Sequence, residues 1–298
     1  MAHADAGINE NADAGINENR GALDAEVVLE AQVVLEAQVV LEAQGLTKLY
    51  TSTEPPTQVL GGIDLTVRGG EFVAVMGASG SGKSTLLYSI SGMDRPTSGK
   101  VLLHGRELTS LSDAEMSRVR LTQLGFVFQQ AYLLGNLNLR DNILLPALKA
   151  AAKGRAATKD KAKDREAAVA RADALMKRFG IDHVKTHGIT QVSGGQLQRA
   201  SICRALACEP SILFADEPTG ALNSSMTIEV MDALTDVHRD GTTVVMVTHD
   251  PACAARAERI VYLRDGVLVE SRELGRWSPE SAAKREDNLL SWLRTLGF

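Results

Sequence analysis

Cysteine, aromatic residues and long apolar runs are all scarce in this 298-residue chain, and each scarcity excludes something. The cysteines number three, Cys203, Cys208 and Cys253, without metal-ligand spacing, so neither a disulfide framework nor a zinc module is expected. They read as small helix residues of a reduced, cytosolic protein. No apolar stretch approaches the roughly 20 residues that a membrane-spanning helix needs. The amino terminus shows no basic region followed by an apolar block, so no secretory signal is expected. Positive charge is not in excess: 32 Lys and Arg stand against 37 Asp and Glu, a net charge of −5. A dedicated nucleic-acid binder normally carries a basic face, so no nucleic-acid partner is expected. The one basic patch, Lys149 to Lys163, reads as a solvated helix face, with a lipid-contacting patch as the alternative. Apolar residues make up 44%, ample for the core of one large domain or two small ones.

Glycine, by contrast, is concentrated where it carries chemistry. Gly77-Ala78-Ser79-Gly80-Ser81-Gly82-Lys83-Ser84 fits the phosphate-loop pattern G-x-x-x-x-G-K-[ST]. Glycines let the backbone wrap closely enough for its N–H groups to face phosphate oxygens. Lys83 would reach the β- and γ-phosphates, and the Ser84 hydroxyl would ligate Mg²⁺. The flanks agree: Phe72–Met76 reads as a buried strand and Lys83–Ser91 as a helix, whose N-terminus favours an anion. A flexible glycine turn would have neither flank.

Further along, apolar Ile212 to Ala215 reads as a buried parallel strand ending in Asp216 and Glu217. Asp216 would hold Mg²⁺ directly or through water, and Glu217 would orient and polarise an attacking water. His249 follows the strand Thr243 to Val247, at the edge of a parallel sheet where ligands bind. Ser193-Gly194-Gly195-Gln196 opens another helix, again a site suited to an anion.

In this order, the phosphate loop, Gly125-Phe126-Val127-Phe128-Gln129, Ser193–Gln196, Ile212–Pro218 and Val244–Asp250 resemble the five motifs of the ATP-binding cassette (ABC) ATPases, over about Val39 to Glu270. The resemblance implies an α/β P-loop NTPase with a mixed central sheet, an antiparallel β subdomain and an inserted α-helical subdomain at about 130–200. It implies ATP and Mg²⁺ as cofactors, with Thr85 joining the phosphate loop and Ser84, Gln129 and Asp216 around the metal. Glu217, Gln129 and His249 become the catalytic set, His249 against the γ-phosphate. Tyr50 sits where the family places a ring under adenine, with a core tyrosine as the rival reading. The signature Ser193–Gln196 would meet the γ-phosphate on a second cassette, two chains closing head to tail on two ATP. Where the family has a terminal aspartate, Gly220-Ala221-Leu222-Asn223 ends in an uncharged amide, which puts coupling between the two sites in question.

The amino terminus is repetitive. Ala4–Asn11 recurs as Ala12–Asn19, and Val27–Gln32 recurs twice, as Val33–Gln38 and Val39–Gln44. A period of six turns a helix by about 600°, so no single apolar stripe forms. Residues 1–38 are expected to be a spare, disordered extension, and Val39–Leu49 to enter the sheet. A functional arm is the alternative. The cassette then spans 39–274. Asp265-Gly266 predicts a hairpin between Ile260–Leu263 and Val267–Val269. Over 275–298, Ser278 is expected to cap a helix with Pro279 in its first turn, its stripe Leu289, Leu290, Trp292, Leu293 and Leu296 packing on the cassette, with a partner-binding helix as the alternative.

Phe214–Asn223 and Asn142–Pro146 further resemble the macrolide-exporter, lipoprotein-release and bacitracin-detoxification ATPases, which work with few-span permeases. That implies a transmembrane permease partner, a second ABC ATPase subunit forming a homodimer, a place on the cytoplasmic face of the membrane, and an antimicrobial peptide, lipid or lipoprotein-like cargo. An importer ATPase for small solutes and a cell-division signalling ATPase share these motifs. A soluble ABC protein of DNA repair or translation is disfavoured, because only about sixty residues separate Gln129 from Ser193 and there is one phosphate loop.

Overall fold

Strict alternation along three short apolar strands explains the architecture. In β3 (Phe72–Met76), Phe72, Ala74 and Met76 enter one hydrophobic core, while Val73 and Val75 enter another. The same division holds for β7 (Ile212–Asp216) and β8 (Thr243–Val247). A strand with period two and both faces apolar must be covered on both sides. The computed structural model describes residues 39–52, 54–153 and 160–298. The amino-terminal repeats before Val39, and residues 154–159 within the basic patch, lie outside the described residues.

The central sheet has six strands in the order β10-β9-β3-β8-β7-β6, adding β6 (Leu124–Phe128), β9 (Arg259–Arg264) and β10 (Val267–Glu273). All neighbours are parallel except β9 and β10, which form the hairpin expected at Asp265-Gly266. A second, antiparallel sheet runs β2-β1-β4-β5: β1 (Val39–Tyr50), β2 (Thr57–Arg68), β4 (Ser98–Leu103) and β5 (Arg106–Glu107). It packs with α1 (Lys83–Ile90) and α2 (Asp113–Thr122) over one face of the central sheet.

Between β6 and β7 come α3 (Leu139–Lys153), α4 (Lys161–Arg178), two 3₁₀ turns and α5 (Gly194–Leu206). Pro146 lies inside α3. Buried Asn142 holds the chain entering this helix, accepting from Leu134 N at 2.6 Å and donating to the carbonyls of Leu134, Leu137 and Asn138. The other face of the sheet is covered by α6 (Ser224–Arg239), the short α7 (Pro251–Ala254) and α8 (Ala282–Thr295).

The carboxyl-terminal expectation needs one correction. Pro279–Ser281 is a 3₁₀ turn, and α8 begins only at Ala282. The Ser278 side chain makes no capping bond to backbone; its Oγ donates to Ser281 Oγ at 3.2 Å instead. The stripe packs inward at Leu289, Trp292 and Leu293, whereas Leu290 is half-buried. Buried Arg285 locks α8 in place by donating to the carbonyls of Ala255, Ala257, Leu274, Gly275 and Arg276.

Candidate functional site

Parallel strands end at a common edge, and here the ends of β3, β6, β7 and β8 carry Gly77, Gln129, Asp216-Glu217 and His249. The phosphate loop leaves β3 at Gly77, where a Cβ would lie 2.1 Å from the Leu263 carbonyl oxygen, so only glycine fits. It enters α1 through Gly82, whose φ of +99° is a left-handed conformation that side chains resist. Between these points the loop curls around Lys83, whose ammonium donates to the carbonyls of Gly77 and Ala78, both at 2.9 Å. Burial lowers the Lys83 pKa, opposed by the nearby Glu217 and Asp216 carboxylates. Gly80 and Ser79 stand on the exposed rim, whereas Ser81 is buried.

Ser84 and Asp216 meet across 132 residues of sequence, Ser84 Oγ donating to Asp216 Oδ1 at 2.9 Å. A hydroxyl beside a nearly buried carboxylate is the hard-oxygen pair that Mg²⁺ favours. Among the described residues no cluster of three or more His, Cys, Asp or Glu is placed to hold a metal. A cation that keeps several waters and shares its shell with phosphate oxygens requires no such cluster. Beside it, Glu217 adopts φ +48°, which is costly for a non-glycine residue and is concentrated at functional sites. Its backbone N–H donates to the Val247 carbonyl at 2.9 Å, and both carboxylate oxygens lie 2.8–2.9 Å from His249 Nδ1. A carboxylate paired with an imidazole can take up and pass on a proton.

Gln129 is exposed at the end of β6, its amide against Gly220, where a Cβ would lie 2.7 Å from Nε2. Two helix side chains hold the segment it begins: Gln198 Nε2 donates to Phe128 O, and Arg204 donates to Ala131 O and Tyr132 O, each at 2.7 Å. Both come from α5, so the helix opened by Ser193 carries the backbone next to Gln129. Residue types at i and i+6 of one helix gave no signal of this in the sequence.

Ser193 and Gln196 form a reciprocal capping box at the start of α5, and Ser193 and Gly194 are exposed. Gly194 and Gly195 lie against Leu222 and Met226, next to Asn223. Asn223 caps α6 by accepting from Met226 N at 3.0 Å. Tyr50 is half-buried, its hydroxyl donating to Asp94 Oδ2 at 2.8 Å and also interacting with Thr85 in the phosphate-loop helix. Burial, then Asp94, raises its pKa. Lys48 Nζ lies 5.0 Å from the ring centre. These contacts place the Tyr50 ring beside the loop rather than in the core.

A phosphate loop, an acidic strand end and a histidine gathered at the carboxyl edge of a parallel sheet define a P-loop nucleotide hydrolase. The family model described as ABC transporter matches residues 60–220. Over 76% of its length the chain is 41% identical to the lipoprotein-releasing system ATP-binding protein LolD 1 of Rhodopseudomonas palustris, covering 96% of that protein. It is 44% identical over 243 residues to the macrolide export ATP-binding/permease protein MacB of another strain of that species. The chain spans about a third (35%) of the length of that curated relative. Among solved structures, the dimeric cassette MJ0796 bound to ADP and Pi is 37% identical, with a TM-score of 0.69 over 80% of this chain and 100% of that one. The chain belongs to the ABC transporter family, and it is an ATP-binding, ATP-hydrolysing cassette of the branch that includes macrolide-export and lipoprotein-release proteins.

Proposed function

We propose that this ATPase is the motor subunit for a separate membrane permease, working as a two-fold dimer on the cytoplasmic face of the membrane. The observation that carries the reading is the gathering of Lys83, Ser84, Asp216, Glu217 and His249 at one sheet edge, with Ser193 and Gly194 exposed for a second copy. Among the described residues no helix is long and apolar enough to cross a membrane. The LolD relative, matched over nearly its whole length, supports a cassette that meets its permease as a separate chain. By the same similarity the task is export or extraction, with an antimicrobial peptide, a lipid or a lipoprotein-like molecule as cargo.

In this reading the N–H groups of residues 77–85 cradle the phosphates and Lys83 neutralises the β- and γ-phosphates. Ser84 and Asp216, with Gln129, hold Mg²⁺, which when bound neutralises charge on the phosphate oxygens. Glu217 orients the attacking water and accepts its proton, and His249 faces the γ-phosphate while holding that carboxylate in place. Ser193–Gln196 of the partner cassette closes the site, and Tyr50 supports the adenine. Hydrolysis then opens the dimer and moves the permease.

The test uses Glu217→Gln, which is expected to bind ATP, turn over at least about 100-fold more slowly, as for loss of a general base, and stay dimeric. Trapped with ATP and recovered from solubilised membranes of its own host, it should retain a few-span permease with a large outer domain. A multi-span importer permease or no membrane protein would refute the assignment.

A further inference from the structure

Tyr88 stands one helical turn after Ser84, and residues four apart share a helix face. Both reach the same carboxylate from that face. Ser84 Oγ donates to Asp216 Oδ1 at 2.9 Å, and Tyr88 OH donates to Asp216 Oδ2 at 2.6 Å. Asp216 is only 8% exposed, so water cannot readily replace either donor. The Tyr88 position is itself secured: its carbonyl accepts from Met93 N at 2.9 Å and Asp94 N at 3.1 Å, closing the turn after α1.

A carboxylate torsion is broad and roughly two-fold, so an aspartate at a strand end can swing unless one oxygen is tied. A phenol O–H on Oδ2 leaves Oδ1 directed at the Ser84 hydroxyl. We propose that Tyr88 is a positioning residue that aims the Asp216 carboxylate at the metal associated with ATP. The inference rests on the reading of Ser84 and Asp216 as the metal-binding pair. Neither the phosphate-loop pattern nor the acidic strand end includes position 88, so the contact is a property of this chain's own packing.

The experiment measures Mn²⁺ binding by electron paramagnetic resonance in the full chain with a non-hydrolysable ATP analogue. Wild type, Tyr88→Phe and Asp216→Asn are compared, and analogue affinity is measured again in EDTA. Partners that orient a metal ligand are worth about 10–100-fold in metal affinity, so Tyr88→Phe is expected to weaken Mn²⁺ about tenfold. Its Mg²⁺ midpoint for ATP hydrolysis should rise in parallel, and its affinity for the analogue in EDTA should stay within about twofold of wild type, because no nucleotide contact is removed. Unchanged Mn²⁺ affinity in Tyr88→Phe, with a loss in Asp216→Asn, overturns the positioning role and leaves the metal pair intact. No loss in Asp216→Asn overturns both. Equal weakening with and without metal means general damage to α1 and also overturns it.

Discussion

Lys83 illustrates how a side chain is made ready by its own loop. Its ammonium is held by the carbonyls of Gly77 and Ala78, beside the Asp216 and Glu217 carboxylates. Truncating one partner of a buried, hydrogen-bonded charge pair costs about 2–5 kcal/mol, so Lys83→Ala should weaken ATP at least about thirtyfold in equilibrium binding. Wild-type affinity would contradict its phosphate role. The cysteines make a second residue-scale case. Burial pushes the thiols of Cys203 and Cys253 up to about 12 and that of Cys208 up to about 11. The thiolate is the reactive form, so at pH 8 even Cys208 is ionised to only about one part in a thousand. Alkylation of the folded protein should be at least about 100-fold slower than in urea, where thiol values return to about 8.5, and should accelerate as pH rises. Rapid labelling at pH 8 without unfolding would show that the thiols are not held in this way.

At the scale of elements, an ion pair ties β9 to β2 and to the turn that precedes β3. Arg259, opening β9, donates to both Glu71 carboxylate oxygens at 2.5 and 3.0 Å, and to the Thr66 carbonyl in β2 at 2.7 Å. Glu71 also accepts from Arg68 N at 2.9 Å. Both side chains are nearly buried, at 12% and 9% exposure. Breaking such a pair leaves the nearly buried Arg259 with only the exposed Glu273 carboxylate at 3.7 Å, so Glu71→Ala should cost up to about 3 kcal/mol by urea denaturation. Replacing both partners with leucine and methionine should cost much less, which distinguishes the lost charge partner from lost packing.

At the scale of the whole molecule, one chain carries the phosphate loop after β3 and the signature at the start of α5. Ser193→Arg removes a helix cap worth about 0.5–2 kcal/mol, so the monomer should fold and bind ATP. In the Glu217→Gln background, sedimentation should show loss of the ATP-induced dimer. A dimer that survives would sink the proposal that two copies share each site.

Much of this was legible along the chain. β3 and β8 occupy the expected residues Phe72–Met76 and Thr243–Val247, because apolar runs of five bounded by turn residues have few alternatives. The phosphate-loop helix begins at Lys83 because Gly82 supplies the left-handed entry, a demand written in local sequence. Ser278 misled because a proline and a serine suit the first turn of a 3₁₀ segment as readily as that of an α-helix. Motif identities and their order, which need only local spacing, were therefore set by sequence alone. The contacts of Tyr88 with Asp216, His249 with Glu217 and Arg285 with Ala257 join residues 128, 32 and 28 positions apart. Only the strand order β9-β3-β8-β7-β6 and the docking of α8 bring them together, and no local propensity encodes which strands become neighbours.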